Sequence, residues 1–389
     1  MNQPIHLLAD KHILISGEML PNRVRLTPYD PLNGLPASLE SFDAIFTRTV
    51  TPLDETTLSS RSDRLKLVGS ATAGTDHADR QWLKEQDIRF AWAPGCNART
   101  VAEYVGTALL LWALDHDIQL SDCTAGIIGV GHAGQATSSL LLELGLRVSH
   151  YDPPRQAEDP AFQSDSLEEA LSCDLLSFHT SLTREGRWPT WHWLDKNWLS
   201  YRKYRLIINA ARGGVIEDRA LLNALVSGQV ENAVLDVWDE EPFFLDALAQ
   251  KSLIATPHIA GYSVQAKQRA ADQLVSALCH EFDLEPPVRP KPTPGDKPLS
   301  ASGLTESANN QQGLRQILPL LHPIKDYDRL FRKMIGKSAD EKRIQFQEIR
   351  TGYPLRQEYS SIALPARLLK QHPQLKILGV QPSEDSSAG

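Results

Sequence analysis

The chain has 389 residues, of which 41% are hydrophobic and 23% are charged, and its formal net charge is −8. This composition is ordinary for a globular protein and excludes a chain that is disordered throughout. The excess of acidic residues argues against nucleic-acid binding through overall charge, although a local basic pocket for a small anion stays open. The length predicts about two to three domains.

Cysteine usage and the N-terminal residues favour a cytoplasmic protein. The four cysteines form no Cys-x-x-Cys pair, so neither a zinc ribbon nor a redox motif is expected, and no metal site is predicted. Buried, reduced thiols are the simpler expectation. Residues 1–15 lack the apolar stretch and cleavage site of a signal peptide, and no apolar run approaches the ~20 residues of a membrane span. We therefore expect no membrane contact.

The first hundred residues alternate strand and helix patterns. Thr51 as N-cap, Pro52 in the first helical position and the two acids that follow predict a helix. Repeated βα units predict a parallel sheet with helices on both faces. The predicted strands are residues 5–9, 43–48, 65–70 and 88–91.

A second βα series follows an apolar helix predicted at residues 101–114. Its predicted strands are residues 125–130, 146–151, 175–179, 206–210, 234–237 and 254–256. Residues 286–298 are rich in proline, and polar residues continue to 313, which predicts a linker. Helical and strand patterns resume over residues 314–389.

A glycine-rich loop between a predicted strand and a predicted helix indicates a dinucleotide-binding site. Its sequence is Gly129-Val130-Gly131-His132-Ala133-Gly134. The N-terminus of the helix at 135–144 offers free N–H groups to a pyrophosphate, and Asp152, after the next strand, suits the ribose hydroxyls of NAD. Arg155 leaves NADP open, and a glycine-rich turn in another α/β protein is the structural alternative.

Three chemically active residues follow three successive predicted strands. Arg212 can hold a carboxylate with its planar guanidinium, and a carboxylate such as Glu241 raises the basicity of a paired histidine, here His258. Such a histidine can take the hydroxyl proton while hydride leaves the same carbon. Each residue alone also has a structural interpretation, as a surface arginine or a packed histidine, but their common position at the carboxyl edge of a sheet favours catalysis.

Two further groups have both functional and structural interpretations. Thr49, Thr51 and the threonines at 72 and 75 offer hydroxyls to a phosphate or carboxylate, or serve as ordinary helix caps. The tryptophans interpreted as packing rather than as a base-stacking platform are Trp188, Trp191, Trp193 and Trp198.

Together these features resemble the D-isomer-specific 2-hydroxyacid dehydrogenases, in which the glycine loop, the arginine, the glutamate and the histidine occur in this order. The resemblance narrows to a member of that family with an additional C-terminal dimerisation domain. The segments that carry it are residues 69–77, 93–98, 102–105, 151–154, 178–180, 258–262 and 346–362, the last with Tyr353 and the sequence at 358–361.

The resemblance implies roles for individual residues. Arg212 would bind the substrate carboxylate, His258 would be the acid/base, and Glu241 would be its partner. The implied substrate contacts are Thr49, Thr72 and Tyr262. The implied NAD contacts are Gly129, Gly131, His132, Ala133, Gly134, Asp152, Thr180, Ala210, Ala211, Arg212, Asp236 and Gly261. The family usually has serine at the position of Thr49 and often cysteine at the position of Ala211. Neither departure removes a catalytic group.

The resemblance also implies an architecture and a reaction. A doubly wound, parallel-sheet NAD-binding Rossmann domain is expected at 98–258, a flavodoxin-like α/β substrate lobe at 1–97 plus 259–285, and a linker with a small α+β dimerisation domain at 286–389. The expected activity is NAD-dependent oxidation of a phosphorylated D-2-hydroxy acid in vitamin B6 synthesis, by a cytoplasmic homodimer. The alternatives are another D-2-hydroxy acid, such as 3-phosphoglycerate, and a scaffold that senses NAD.

Overall fold

The computed structural model describes residues 3–287, 310–352 and 354–383. The chain divides into two compact units, Met1–Asn97 with Val264–Thr293 and Ala98–Ser263 with Pro294–Gly389. The three domains predicted at 1–97 plus 259–285, 98–258 and 286–389 stay a prediction. Most of the proline-rich linker and Tyr353 lie outside the described residues.

The elements below are numbered in chain order over the described residues. The strands are β1 (Ile5–Asp10), β2 (Val24–Tyr29), β3 (Ala44–Thr47), β4 (Leu67–Ser70), β5 (Arg89–Trp92), β6 (Thr124–Ile128), β7 (Arg147–Tyr151), β8 (Leu175–Phe178), β9 (Leu206–Asn209), β10 (Ala233–Leu235), β11 (Ile254–Ala255), β12 (Ala363–Pro365) and β13 (Gln381–Ser383). The α-helices are α1 (Arg80–Glu85), α2 (Ala98–Asp115), α3 (His132–Glu143), α4 (Pro153–Glu158), α5 (Leu167–Leu171), α6 (Lys196–Leu199), α7 (Asp218–Ser227), α8 (Asp246–Lys251), α9 (Val264–Glu281), α10 (Asn310–Leu321), α11 (Ile324–Arg332), α12 (Ala339–Gly352), α13 (Ala366–Gln371) and α14 (Pro373–Leu378). Within these ranges no helix combines the length and the apolarity needed to cross a bilayer.

The first unit is built on a five-stranded parallel sheet with the order β2-β1-β3-β4-β5. This is the flavodoxin order, in which the chain reverses direction across the sheet beside β1. Phe46, Leu67 and Leu274 of α9 share one apolar core, and a Cβ at Gly69 would lie 2.7 Å from the Phe46 ring. The four predicted strands are confirmed, whereas β2 is an element that the sequence pattern does not predict.

The prediction of a helix that begins after Thr51 is wrong. The segment after Pro52 forms turns. Leu53 is held in an isolated parallel bridge with Ala78, and its N–H donates to the carbonyl of His77 at 2.9 Å. The Thr51 hydroxyl bonds to the hydroxyl of Tyr29 at 3.1 Å instead of capping a helix. Tertiary contacts of the buried Leu53 therefore override the local capping pattern.

The second unit contains a six-stranded parallel sheet with the order β11-β10-β9-β8-β6-β7. All six predicted strands and the predicted apolar helix, α2, are confirmed. From β6 the chain steps outward to β7 and then returns to β8 on the other side. In open α/β sheets, ligands bind in the crevice beyond the carboxyl ends of the strands at such a reversal.

The C-terminal residues 310–383 belong to the same unit as this sheet. They form helices α10–α14 and a two-stranded parallel sheet, β12-β13. Many of their buried side chains, such as Leu318, Tyr359 and Leu378, share one apolar core with Val105 and Leu109 of α2. Others, such as Phe331 and Phe346, lie in a second core with Trp238. The C-terminal segment is thus part of the core that supports the six-stranded sheet, and its role in dimerisation stays a prediction.

A buried ion pair joins α2 to this segment. Glu103 is 0% exposed, and its carboxylate accepts from Arg356 Nη1 at 2.6 Å and from Tyr359 N at 3.1 Å. Arg99 Nε also donates to it, at 3.1 Å. Burial raises the pKa of Glu103, and the charge of Arg356 opposes that rise. The carboxylate thus depends on its cationic partners to remain buried in the charged form.

Arg356→Met should lower the free energy of unfolding by about 3–5 kcal/mol, because it leaves Glu103 buried without its main partner. Urea denaturation monitored by far-UV circular dichroism measures this loss. Arg343→Met is the matched control, since Arg343 lies on the exposed side of α12. The double variant Glu103→Leu with Arg356→Met should recover most of the stability. A loss below about 1 kcal/mol would contradict the assignment.

Candidate active site

The glycine loop predicted from the sequence joins β6 to α3. Gly129 has φ +87°, a left-handed conformation that glycine adopts without strain. A Cβ at this position would lie 2.8 Å from the backbone nitrogen of Thr180, which follows β8, and a Cβ at Gly134 would lie 2.0 Å from the Gly129 carbonyl oxygen. Side chains at these two positions would therefore separate the loop from α3 and from the end of β8.

The residues around the loop fit a dinucleotide. Apart from Gly131 and its two chain neighbours, no atom of the described residues lies within 4 Å of a Cβ built on Gly131, so a pyrophosphate can approach the backbone there. Asp152 is held against the loop, because its carboxylate accepts from Val130 N at 2.7 Å. The hydroxyl of Thr180 is buried and has no hydrogen-bond partner within the part of the chain that the structure describes.

Arg155 is the residue that keeps NADP as an alternative cofactor in the sequence analysis, and in the structure its guanidinium contacts neighbouring protein groups. Its guanidinium donates to the Val130 carbonyl at 2.7 Å, pairs with Asp159 at 3.3 Å and lies over the ring of Phe162 at 4.2 Å. The carboxylate of Asp152 remains the group beside the glycine loop, and a carboxylate there favours the ribose hydroxyls of NAD over a 2′-phosphate.

Two glycine-to-alanine changes should separate steric effects on the fold from effects on the cofactor. Gly134→Ala should lower the free energy of unfolding by about 1–3 kcal/mol, because its Cβ meets backbone. Gly131→Ala should leave stability within about 0.5 kcal/mol and weaken NADH binding by about tenfold or more. Thermal unfolding and NADH fluorescence titration measure the two effects. Unchanged NADH affinity in Gly131→Ala would place the pyrophosphate elsewhere.

Glu241 and His258 are in direct contact. His258 Nδ1 lies 2.7 Å from Glu241 Oε2, and Glu241 Oε1 accepts from Trp238 N at 3.0 Å. Burial pushes the pKa of Glu241 upward, but the charge of His258 and its hydrogen bond, together with the charge of Arg350 and the Trp238 N–H, lower it overall. Because the carboxylate accepts from Nδ1–H, the imidazole presents the lone pair of Nε2, as a general base requires.

The backbone of His258 is held in an uncommon conformation. Its φ is +57°, which is strained for a residue with a side chain. His258 N donates to the carbonyl of Asp236 at 2.6 Å. The buried Asp236 carboxylate accepts from Ile259 N and Ala260 N, both at 2.8 Å, and from the Thr256 hydroxyl at 2.6 Å. Burial raises the pKa of Asp236, and the charge of His258 and these hydrogen bonds oppose it.

Through these hydrogen bonds Asp236 holds the backbone of the loop that carries His258. Its predicted contact with NAD, and that of Gly261 further along the same loop, stay predictions.

Arg212 follows β9 in a tightly packed loop. Asn209 accepts from Ala211 N at 3.1 Å and donates to the Arg212 carbonyl at 3.2 Å. A Cβ at Gly213 would lie 1.6 Å from the carbonyl oxygen of Trp238, so the loops after β9 and β10 are in backbone contact. Arginine, glutamate and histidine thus follow three adjacent strands, β9, β10 and β11, at one sheet edge, with Ala210 and Ala211 beside the arginine.

The tryptophan cluster is mainly packing, as the sequence pattern indicates. Trp193 packs against Phe178 at 5.8 Å and Tyr151 at 5.9 Å between ring centroids. Trp191 lies over the Arg212 loop, since its ring would be 2.3 Å from a Cβ at Gly214. These rings therefore cover the ends of β8 and β9 rather than forming a stacking platform for bases.

Residues near the site that the sequence pattern does not indicate include a histidine–carboxylate pair. His192 Nε2 lies 3.0 Å from Asp239 Oδ2, and Asp239 N donates to Asp218 at 3.4 Å. Burial raises the pKa of Asp218 to about 7. The signal available in the sequence was weak, because His192 lies among tryptophans and Asp239 within a run of acids.

The predicted substrate contacts fall in both units. Thr49 and Thr72 follow the adjacent strands β3 and β4 of the first unit. The Thr72 hydroxyl donates to the Gly74 carbonyl at 2.9 Å and bonds to the Ser70 hydroxyl at 2.8 Å. Tyr262 belongs to the second unit, four residues beyond His258.

Comparison with known proteins agrees with this geometry. Residues 112–260 match the family model described as D-isomer specific 2-hydroxyacid dehydrogenase, NAD binding domain. The solved structure of D-lactate dehydrogenase from Aquifex aeolicus, complexed with NAD and lactic acid, is similar to this chain in fold. The TM-score is 0.59 at 24% identity, covering 72% of this chain and 95% of that one. The fold and the site therefore define an NAD-dependent 2-hydroxyacid dehydrogenase.

Two curated relatives narrow the class. The erythronate-4-phosphate dehydrogenase of Proteus mirabilis is 39% identical over 83% of this chain and 85% of its own length. That of Coxiella burnetii is 36% identical over 94% of this chain and 98% of its own. The chain belongs to the erythronate-4-phosphate dehydrogenase family, and is an NAD-dependent oxidoreductase that acts on a CH–OH group.

Proposed function

We propose that this enzyme oxidises 4-phospho-D-erythronate at C2 to 2-oxo-3-hydroxy-4-phosphobutanoate, with reduction of NAD to NADH, as a step in pyridoxal 5′-phosphate synthesis. The observation that carries the proposal is the identity of 36–39% to relatives of that name over most of the chain. The paired Glu241 and His258 favour an active enzyme over an NAD-sensing scaffold, which would not need a carboxylate 2.7 Å from an imidazole.

His258 is the general base in the proposed mechanism. Its Nε2 accepts the proton of the C2 hydroxyl while its Nδ1–H remains bonded to Glu241. Glu241 fixes this tautomer and stabilises the imidazolium that forms. When bound, NAD supplies the nicotinamide ring that takes the hydrogen of C2 together with its electron pair. The hydroxyl proton therefore ends on His258, and C2 becomes a carbonyl carbon.

Arg212 orients the substrate for this transfer. Its guanidinium has the planar fork that holds a carboxylate by two parallel hydrogen bonds, and its cationic charge polarises the C2 oxygen. The packed loop that carries it limits movement of the backbone, which favours a fixed substrate position. Thr49, Thr72 and Tyr262 are the further proposed substrate contacts.

Single-turnover formation of NADH, followed by its absorbance with NAD-loaded protein, tests the proposal. 4-Phospho-D-erythronate and 3-phosphoglycerate are compared, and added 2-oxoglutarate tests whether bound NADH is recycled. Reduction with 4-phospho-D-erythronate supports the substrate and the reaction together. Reduction with 3-phosphoglycerate alone would overturn the substrate and retain the reaction class. Absence of reduction with either, despite bound NAD, would favour the scaffold.

We also propose a cytoplasmic homodimer formed through the C-terminal residues. Two large apolar side chains there support an interface, Leu320 of α10, 61% exposed, and Ile344 of α12, 51% exposed. Sedimentation velocity should show a dimer that Leu320→Lys weakens. Leu142→Lys, on the exposed face of α3, is the matched control and should leave it unchanged. A monomeric wild-type protein would overturn this proposal.

A further inference from the structure

Arg350 brings a cationic side chain from the C-terminal segment to the loop that carries His258. It lies near the end of α12, and its Nη2 donates to the hydroxyl of Tyr262 at 2.9 Å. Its guanidinium carbon lies 5.5 Å from the centre of the Tyr262 ring and 5.8 Å from that of Phe346. A residue 88 positions away along the chain is thus bound to a tyrosine four residues beyond the catalytic histidine.

The guanidinium retains hydrogen-bonding capacity that the described residues do not use. Arginine has five N–H donors, and here the described residues supply one acceptor, the Tyr262 hydroxyl. The Nε atom is buried with no partner among the same residues. An unpaired buried donor of a charged group costs free energy, so such a group in a folded protein calls for an anionic or polar ligand.

The charges around Arg350 keep it cationic next to the catalytic pair. Burial alone would lower the pKa of Arg350, but Tyr262, Glu241 and Asp236 raise it. In return, the charge of Arg350 helps to lower the pKa of Glu241. The side chain therefore offers a planar, charged group within electrostatic range of Glu241 and Asp236, and its Nε has no acceptor among the described residues.

We propose that Arg350 is a specificity-determining residue that receives the terminal phosphate of the substrate. The inference rests on the proposed function, in which the substrate has two anionic ends and Arg212 takes the carboxylate. A guanidinium with unused, coplanar N–H groups suits the tetrahedral oxygens of a phosphate, which it can bind by two parallel hydrogen bonds. Tyr262, bonded to Arg350, holds the fork in place.

The test compares 4-phospho-D-erythronate with unphosphorylated D-erythronate in Arg350→Gln and Arg350→Lys. In Arg350→Gln, kcat/KM for the phosphorylated substrate should fall about 10- to 100-fold, mainly through KM, as expected for one or two charge-assisted hydrogen bonds. The value for D-erythronate should stay within about threefold, because it makes no such bond. Arg350→Lys should be intermediate, since it keeps the charge and loses the planar fork.

Arg343→Gln is the control, because Arg343 is exposed on the same helix. NADH affinity and thermal unfolding report whether each variant is folded. Inorganic phosphate adds a probe independent of turnover: it should compete with 4-phospho-D-erythronate in the wild type and compete more weakly in Arg350→Gln.

Two outcomes would overturn the inference while leaving the proposed function intact. Equal losses on both substrates, with a shifted pH profile, would show that Arg350 acts on Glu241 and His258 instead. Unchanged discrimination between the two substrates would show that the phosphate binds elsewhere. If the wild-type enzyme does not oxidise 4-phospho-D-erythronate, the proposed function itself fails, and that result is obtained before any variant is made.

Discussion

Replacing His258 with asparagine should lower kcat by about 10²- to 10⁴-fold, the usual contribution of a general base. This corresponds to a loss of about 3–5 kcal/mol of transition-state stabilisation. The reason is geometric: Glu241 Oε2 lies 2.7 Å from His258 Nδ1, which leaves the lone pair of Nε2 to receive the hydroxyl proton in the proposed mechanism. Steady-state oxidation of 4-phospho-D-erythronate, with NADH affinity measured in parallel, separates loss of chemistry from loss of cofactor binding.

Asparagine is a better replacement for His258 than alanine because of the backbone conformation at this position. The φ of His258 is +57°, and asparagine tolerates that conformation better than alanine does. His258→Asn therefore removes the imidazole with the least added strain. His116→Asn, on an exposed histidine after α2, controls for the chemical change. If His258→Asn retained more than about one tenth of the wild-type kcat, another group would have to be the base.

Arg212→Lys should reduce kcat/KM by about 100-fold or more, although the charge is kept. Lysine presents a point charge on a flexible chain, so it cannot form two parallel hydrogen bonds to a carboxylate or fix the position of C2. The loop backbone should not change, because its hydrogen bonds run through Asn209 and the main chain. The expected result is therefore a folded protein that binds NADH and turns over slowly.

Arg219→Lys is the matched control, since Arg219 lies exposed on α7. It should leave kcat/KM and thermal stability unchanged. If Arg212→Lys kept the wild-type kcat/KM, a cation other than Arg212 would have to bind the carboxylate of the substrate.

Buried parallel strands could be predicted because they are short, continuous apolar runs between turn residues. The strands β3, β6 and β9 are fully or almost fully buried and were all indicated by the sequence. The edge strand β2 differs: of its interior residues only Leu26 is partly buried, and Arg25, Thr27 and Pro28 are exposed, so it has no such pattern. The segment after Thr51 carried a genuine capping signal that contacts of Leu53 with distant residues overrode.

The candidate site also contains residues that the sequence pattern indicates and a residue that it does not. The common location of Arg212, Glu241 and His258 could be predicted because each follows a strand, and the carboxyl ends of parallel strands meet at one edge. Arg350 could not, because it lies on an amphipathic helix where its neighbours along the chain indicate an ordinary charged surface. Packing of Phe346 of α12 into the apolar core that contains Trp238 and Phe331 places that helix beside Tyr262, to which Arg350 is hydrogen-bonded.

The discontinuous first unit has a consequence for synthesis on the ribosome. Its sheet is made from the first 97 residues, but the apolar face with Phe46 and Leu67 is covered by α9, which follows residues 98–263 along the chain. At roughly 5–20 residues per second, that face would wait about 10–30 s for its covering helix. A nascent chain stalled before α9 should therefore bind chaperones that recognise exposed apolar surface, and release them once α9 has emerged.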